Sequence, residues 1–298
     1  MLDLLVPPLF QDALIAGVAI AVVCSVLSVI VVLKRMAFIG QGISHAGFGG
    51  IGTAILLGVA AGRAQDALVL AFCVGTGVAI GVLARRGRIE ADSAIGILLV
   101  GAMAWGVLMT DLSVVLQRYD WYAQWFALDA RPAGFEQLLF GSLLSVTRAD
   151  MWAAIIVAAA VVATLGALAK EMVFFTFDET VSRVFGVRTG VLYYLLLVLL
   201  SLTIMVSIRL VGFVLVSALL VIPGATALQL SARLGRVVLW SLAVGLVGVV
   251  GGLRLSLWAG ELSSGPCIVG MLCVIFAVVF TARGWRRVGE VRAAGDGG

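Results

Sequence analysis

Apolar side chains fill nine long runs of this chain, at about residues 9–33, 42–62, 66–84, 93–110, 150–170, 189–208, 210–230, 236–257 and 266–283. Charged residues gather between the runs and hardly enter them. Each run approaches the ~20 residues that a helix needs to cross a hydrocarbon layer of ~30 Å. In lipid, backbone polar groups must be satisfied internally, which a helix does. The pattern predicts an all-α polytopic membrane protein, a bundle of about eight or nine transmembrane helices in which some runs are broken or re-entrant. Glycine and proline within the runs are compatible with helices packed in a bundle.

The basic residues orient the bundle. If the first run ends on the cytoplasmic side at Lys34-Arg35, nine crossings put fourteen Lys and Arg on that side and six on the other. This asymmetry predicts an outer N-terminus and an inner C-terminus. The first run lacks a basic flank before it, carries Asp3 and Asp12, and ends in a basic pair instead of a small-residue cleavage site. It reads as a retained span.

Two connections exceed turn length. Residues 111–149 hold Tyr119, Trp121, Tyr122, Trp125 and Phe126 with Asp111, Asp120, Asp129 and Glu136. They predict either an outer interfacial helix whose acids face an incoming cation or a solvated amphipathic loop. Residues 171–188 (EMVFFTFDETVSRVFGVR) lie on the cytoplasmic side. Val181, Val184 and Phe185 share one face of a short helix there, and Asp178 is placed to cap it. Such a helix either meets a partner surface or lies flat on the membrane. The chain is thus one transmembrane domain over residues 1–287, followed by a flexible cytoplasmic tail at 288–298.

Composition narrows the picture further. Of 298 residues, 62% are hydrophobic and 12% charged, too few charges to clothe a soluble protein of this size. A soluble enzyme is excluded. The net charge of +4 reflects the run-end cations and membrane orientation, not a nucleic-acid partner. Cys24, Cys73, Cys267 and Cys273 lie inside apolar runs without metal-ligand spacing and read as small buried residues. The chain has two lysines, Lys34 and Lys170, and neither follows a phosphate-cradling glycine loop. Any ATP used in transport is hydrolysed by another subunit.

The segment 37–52, AFIGQGISHAGFGGIG, contains the single histidine of the chain, His45. Gln41 stands four residues earlier, on the same helical face, and Ser44 adjoins it. A polar side chain at membrane depth is a candidate for function, and neutral imidazole is a common ligand of divalent metals. One His and one Gln cannot grip an ion, but two copies across a two-fold axis supply four groups. The alternative is a histidine that only hydrogen-bonds a neighbouring helix. In 211–227, Pro223-Gly224 predicts a helix break that frees carbonyls along a transport path. Gly245, Gly248, Gly251 and Gly252 form a packing seam.

Taken in order, Lys34-Arg35, Gln41 to Ala46 with Gly49-Gly50, Gly141-Ser142-Leu143-Leu144, Asp178…Ser182…Gly186, the turn from Ile222 to Ala227 and Gly265-Pro266 with Ile268-Val269 resemble the membrane-permease subunit of ATP-binding-cassette importers for divalent metal ions. The likeness runs from about 10 to 283. Gln41 stands where that family usually has Asp, Gly49 replaces its Pro, Ser182 a common Ala, and Glu261 an Asp. The resemblance implies two permease copies, two separate ATPase subunits, an extracytoplasmic metal-binding protein, and a location in the cytoplasmic (inner) membrane of a prokaryote. No cofactor is permanently bound, and the transported ion is zinc first and manganese second, since neutral N and O ligands suit zinc. It also implies a metal pathway at His45, Gln41 and Ser44. The 171–188 segment becomes a coupling helix, with Phe177, Asp178, Ser182, Phe185 and Gly186 carrying ATPase movements into the spans.

Two other readings stay open. A permease for iron-chelates or cobalamin needs a wide path with polar and aromatic lining. A self-sufficient secondary transporter or channel needs carboxylates deep in the spans. Little in the runs suggests either.

Overall fold

The computed structural model describes residues 8–59, 62–86, 89–118, 146–259 and 263–295. Most of the 111–149 segment, including Gly141 to Leu144, lies outside the described residues, as does Glu261. Among the described residues ten helices form and no strands: α1 (Pro8–Leu33), α2 (Ile39–Leu56), α3 (Arg63–Arg86), α4 (Ala91–Leu116), α5 (Arg148–Ala167), α6 (Ala169–Phe177), α7 (Glu179–Val184), α8 (Thr189–Leu230), α9 (Leu234–Ala259) and α10 (Ser264–Gly295). Seven of them are long and apolar enough to cross a membrane. α10 runs on through the segment from 288 to Gly295. Glu290, Arg292, Ala293 and Ala294 are good helix formers and no proline interrupts them.

The helix ends sort into two sets. Lys34 after α1, Arg85 at the end of α3 and Glu179 at the start of α7 meet at one end of the bundle. Asp12 of α1 with Arg148 of α5 (3.7 Å), and Asp66 of α3 with Arg209 of α8 (2.6 Å), close the other. The first is the basic end. α8 starts there, since the Arg183 Nε–H donates to the Thr189 hydroxyl at 3.1 Å. It also finishes there, since Ala227 packs on Val29 and Val237, with Leu33 and Leu228 beside them.

A 42-residue helix drawn straight would span about 63 Å, twice the hydrocarbon thickness. The backbone instead reverses at Gly212, whose φ of 76° and ψ of 170° are non-helical. A side chain would be strained at that φ, so glycine makes the turn possible. α8 is therefore two spans joined at a hairpin tip on the end opposite the basic one. Counting α8 as two arms and adding α2, a glycine-rich helix outside the seven, gives nine helical arms among the described residues, close to the sequence expectation.

The expected break at Pro223-Gly224 does not occur; helical dihedrals run through it and the break sits at Gly212. Proline deprives the helix of one amide and its ring crowds the preceding turn. The Ser28 hydroxyl of α1 compensates by accepting the Gly224 N–H at 2.8 Å. A Cβ on Gly224 would stand 2.7 Å from the Ser28 carbonyl group. Gly224→Ala is expected to destabilise the bundle by about 1–3 kcal/mol, read as a lower midpoint in thermal unfolding of purified protein.

Other buried hydroxyls also tie helices together. Ser241 donates to the Ser25 carbonyl (2.8 Å) and Ser201 to the Cys73 carbonyl (3.1 Å), useful contacts where lipid offers no water. Three cysteines are buried as expected, whereas Cys273 is exposed on the outer surface of α10.

Candidate ion path and coupling surface

α2 is built to be approached closely. It carries six glycines in 18 residues, and a Cβ on Gly52 would collide with the backbone of Gly106 in α4. Tight packing against α3, α4 and α8 buries most of the helix. One strip escapes. Phe38 and Gln41 are exposed, and His45 and Phe48 are half-buried, at the spacing of a single helical face. Gln41 and His45 are thus brought together, one turn apart, on the uncovered side.

Ser44 is not. It is fully buried, donates to the Gln41 carbonyl at 3.0 Å, and lies 3.4 Å from the Ser217 hydroxyl of α8. That contact sets α8 beside the strip. Val214, Ser217, Ala218, Val221 and Ala225 stay partly exposed there at helical spacing, so the uncovered face continues from α2 onto the second half of α8.

The imidazole of His45 stacks on Phe213, with ring centroids 5.9 Å apart and 11° between planes. Phe213 directly follows the Gly212 turn, so the hairpin tip supports the ring. Among the described residues no hydrogen-bonding partner holds either ring nitrogen, which leaves the imidazole available as a ligand. No group of three His, Cys, Asp or Glu side chains occurs among the described residues. A single chain therefore offers an ion one imidazole and one amide, too few for a tetrahedral site. Pro223 and Gly224 are buried against α1, away from the strip.

At the basic end, Asp178 caps α7 as expected, accepting the N–H groups of Thr180 (2.8 Å) and Val181 (3.0 Å). Ser182 is buried and donates to the Asp178 carbonyl at 2.6 Å. Gly186 ends the helix at φ 79°; its N–H reaches the Arg183 carbonyl and the Val187 N–H the Ser182 carbonyl, both at 3.0 Å. The cap residues hold a small apolar crest toward solvent, with Phe177 65%, Phe185 74% and Val184 82% exposed. Phe174 leans on Phe185, centroids 6.2 Å apart. Exposed apolar clusters of this kind mark contact surfaces.

Glu179 ties that crest to the bundle. Its carboxylate accepts from Arg85 of α3 at 2.6 Å and from Arg183 at 2.7 Å, and lies 4.0 Å from the Lys34 ammonium. Lys34, in the turn leading to α2, also sits 3.6 Å from the Phe175 ring centroid. Partial burial alone would raise the Glu179 pKa. The Arg183 hydrogen bond and the charges of Arg85 and Lys34 outweigh burial and hold it below the usual carboxylate range. Lys34 is lowered, first by loss of water and further by Arg85, with Glu179 and Asp178 opposing.

For Glu179 the depressed pKa means a stabilising charge fully present above the ordinary carboxylate value of about 4.3 and lost as pH falls through the folded value. Hydrogen exchange at 179–188, corrected for intrinsic rates, is expected to quicken on that descent. In Glu179→Gln it is expected to be fast throughout. Sequence reasoning missed Glu179, Gly212 and Phe213, whose partners lie far away along the chain.

A profile of the "ABC 3 transport family" matches residues 7–283. The chain belongs to that family. It is a permease with multiple membrane-spanning helices, a multi-pass protein of the cell membrane. It is 30% identical over 275 residues to the manganese transport system membrane protein MntC of Halalkalibacterium halodurans, covering 91% of this chain and 86% of that protein. It is equally 30% identical over 273 residues to the chelated iron transport system membrane protein YfeD of Yersinia pestis, covering 91% and 84%. Its fold matches a solved structure of PsaBC from Streptococcus pneumoniae in complex with Fab, at a TM-score of 0.73 and 24% identity over 92% of this chain and 91% of that one.

Proposed function

We propose that this permease is the membrane subunit of an ATP-driven importer of a divalent transition-metal ion. Two copies meet through the uncovered faces of α2 and α8, and the ion passes between them along Gln41 and His45. ATP hydrolysis is the task of a separate subunit that docks on the crest of α6 and α7, and an extracytoplasmic binding protein delivers the ion. The observation that carries this reading is the Gln41–His45 pair on the strip of α2 that the described residues leave uncovered. An isolated amide and imidazole facing hydrocarbon would be costly; facing their own symmetry mates they form a four-group site.

Manganese is the ion favoured by the names of the manganese-transporting relatives, with iron next. Zinc, the first expectation from ligand chemistry, follows them, because Gln41 and His45 are neutral donors. The iron-chelate alternative draws support from the Yersinia relative. All are separated by one experiment. The permease is reconstituted in vesicles with its ATPase, and uptake of radioactive manganese is measured against unlabelled manganese, zinc, ferrous iron and a ferric chelate. ATP-dependent uptake with manganese or iron as the strongest competitor is the expected result. Uptake without the ATPase would favour a self-sufficient transporter or channel, and competition by the chelate alone would favour the larger substrate.

A further inference from the structure

Away from the α2 strip, α5 and α9 each pack on α1 and leave an open trough between them. Val29 and Leu33 of α1 form its floor, Gly166 of α5 and Met172 of α6 one wall, and Val238 of α9 the other. Its volume is about 380 Å³. The one lining hydroxyl, Thr176, is already donated to the Met172 carbonyl at 2.6 Å. The surface therefore offers nothing to a polar ligand or to water, and its occupant is hydrocarbon.

The position of the trough identifies that hydrocarbon. It extends over 26–33 of α1 and 234–242 of α9, roughly 10–12 Å at 1.5 Å per residue. That is close to the ~15 Å depth of one leaflet, measured from the basic end. Beside its lining at that end the chain carries two exposed cations, Lys170 next to Ala169 and Arg233 next to Leu234, against one acid, Glu171. Among the described residues neither makes an ion pair, unlike Lys34, Arg85 and Arg183 nearby. Unpaired cations above an apolar slot between helices match a phosphate headgroup above an acyl chain.

We propose that the trough is a binding site for one anionic glycerophospholipid of the leaflet at the basic end. One acyl chain lies along α1, and the phosphate rests between Lys170 and Arg233. Because α6 leads directly into the α7 crest, the bound lipid braces the base of the coupling segment.

The test is native mass spectrometry of the full chain in mild detergent, titrated with phosphatidylglycerol or with phosphatidylcholine of identical chains. The expected result is one phosphatidylglycerol retained per protomer, on the order of tenfold more tightly than phosphatidylcholine. Gly166→Leu places a side chain where nothing lies within 4 Å and replaces glycine by a better helix former, so the fold is kept. It is expected to lower retention of both lipids at least ~tenfold by filling the slot. The double variant Lys170→Gln with Arg233→Gln is expected to keep phosphatidylcholine and lose the preference for phosphatidylglycerol. Equal retention of the two lipids by the unaltered chain, a preference that survives the double variant, or undiminished retention in Gly166→Leu would each overturn the proposal. So would a change in the number of protomers per particle in Gly166→Leu without loss of lipid, which would assign the trough to another helix.

Discussion

His45→Ala is expected to reduce ATP-driven ion uptake by at least ~100-fold, because loss of a lone imidazole from each copy removes half of a four-group site and even outer ligand partners are worth 10–100-fold. Alanine also removes the stack on Phe213, so a poorly folded variant would give the same result. His45→Phe separates the two effects. It keeps an aromatic ring against Phe213 and lacks any ligand atom, so thermal stability should be preserved while uptake is lost. Uptake near the original rate in His45→Phe would remove the ring from the path. Gln41→Asp extends the argument. A carboxylate is a harder donor than an amide, and competition should shift toward manganese over zinc.

The second large effect is expected at the basic end. Replacing both Phe177 and Phe185 with alanine should leave the bundle intact, since the two side chains are mostly exposed. Aromatic anchors at protein contacts are worth more than ~1 kcal/mol each. Removing two should weaken docking of the ATPase by roughly 30-fold or more. The readouts are co-purification of the ATPase and uptake per ATP hydrolysed, and both should fall together. An unchanged ratio of uptake to hydrolysis would sink the coupling role of the crest.

The crossings were readable because lipid imposes one demand, unbroken apolar length, on each of them. α2 begins at Ile39, earlier than hydropathy suggests, since its glycines and Gln41 dilute the apolar signal while its neighbours bury it. The α7 cap was equally readable: Asp178 reaches only Thr180 and Val181, within one helical turn, and needs no distant partner. Local rules failed at Pro223, where the helix runs on unbroken and a hydroxyl from α1 accepts the N–H of the following Gly224. They failed again at Gly212, one of 36 glycines, distinguished only by the reversal it permits. Glu179 was invisible for the same reason, since its value lies in Arg85 and Lys34, which reach it only after folding.

The hairpin of α8 has a mechanical consequence. Its first arm, from Thr189 to Gly212, is about 35 Å long at helical rise and stands at its foot beside Arg183. An arm of that length is a lever. Tilting the foot by about 10° sweeps the tip through roughly 6 Å, several times a metal–nitrogen bond of about 2 Å. On the proposed ion path, a modest tug at the base would withdraw the aromatic backstop from the imidazole and so change access to the ring.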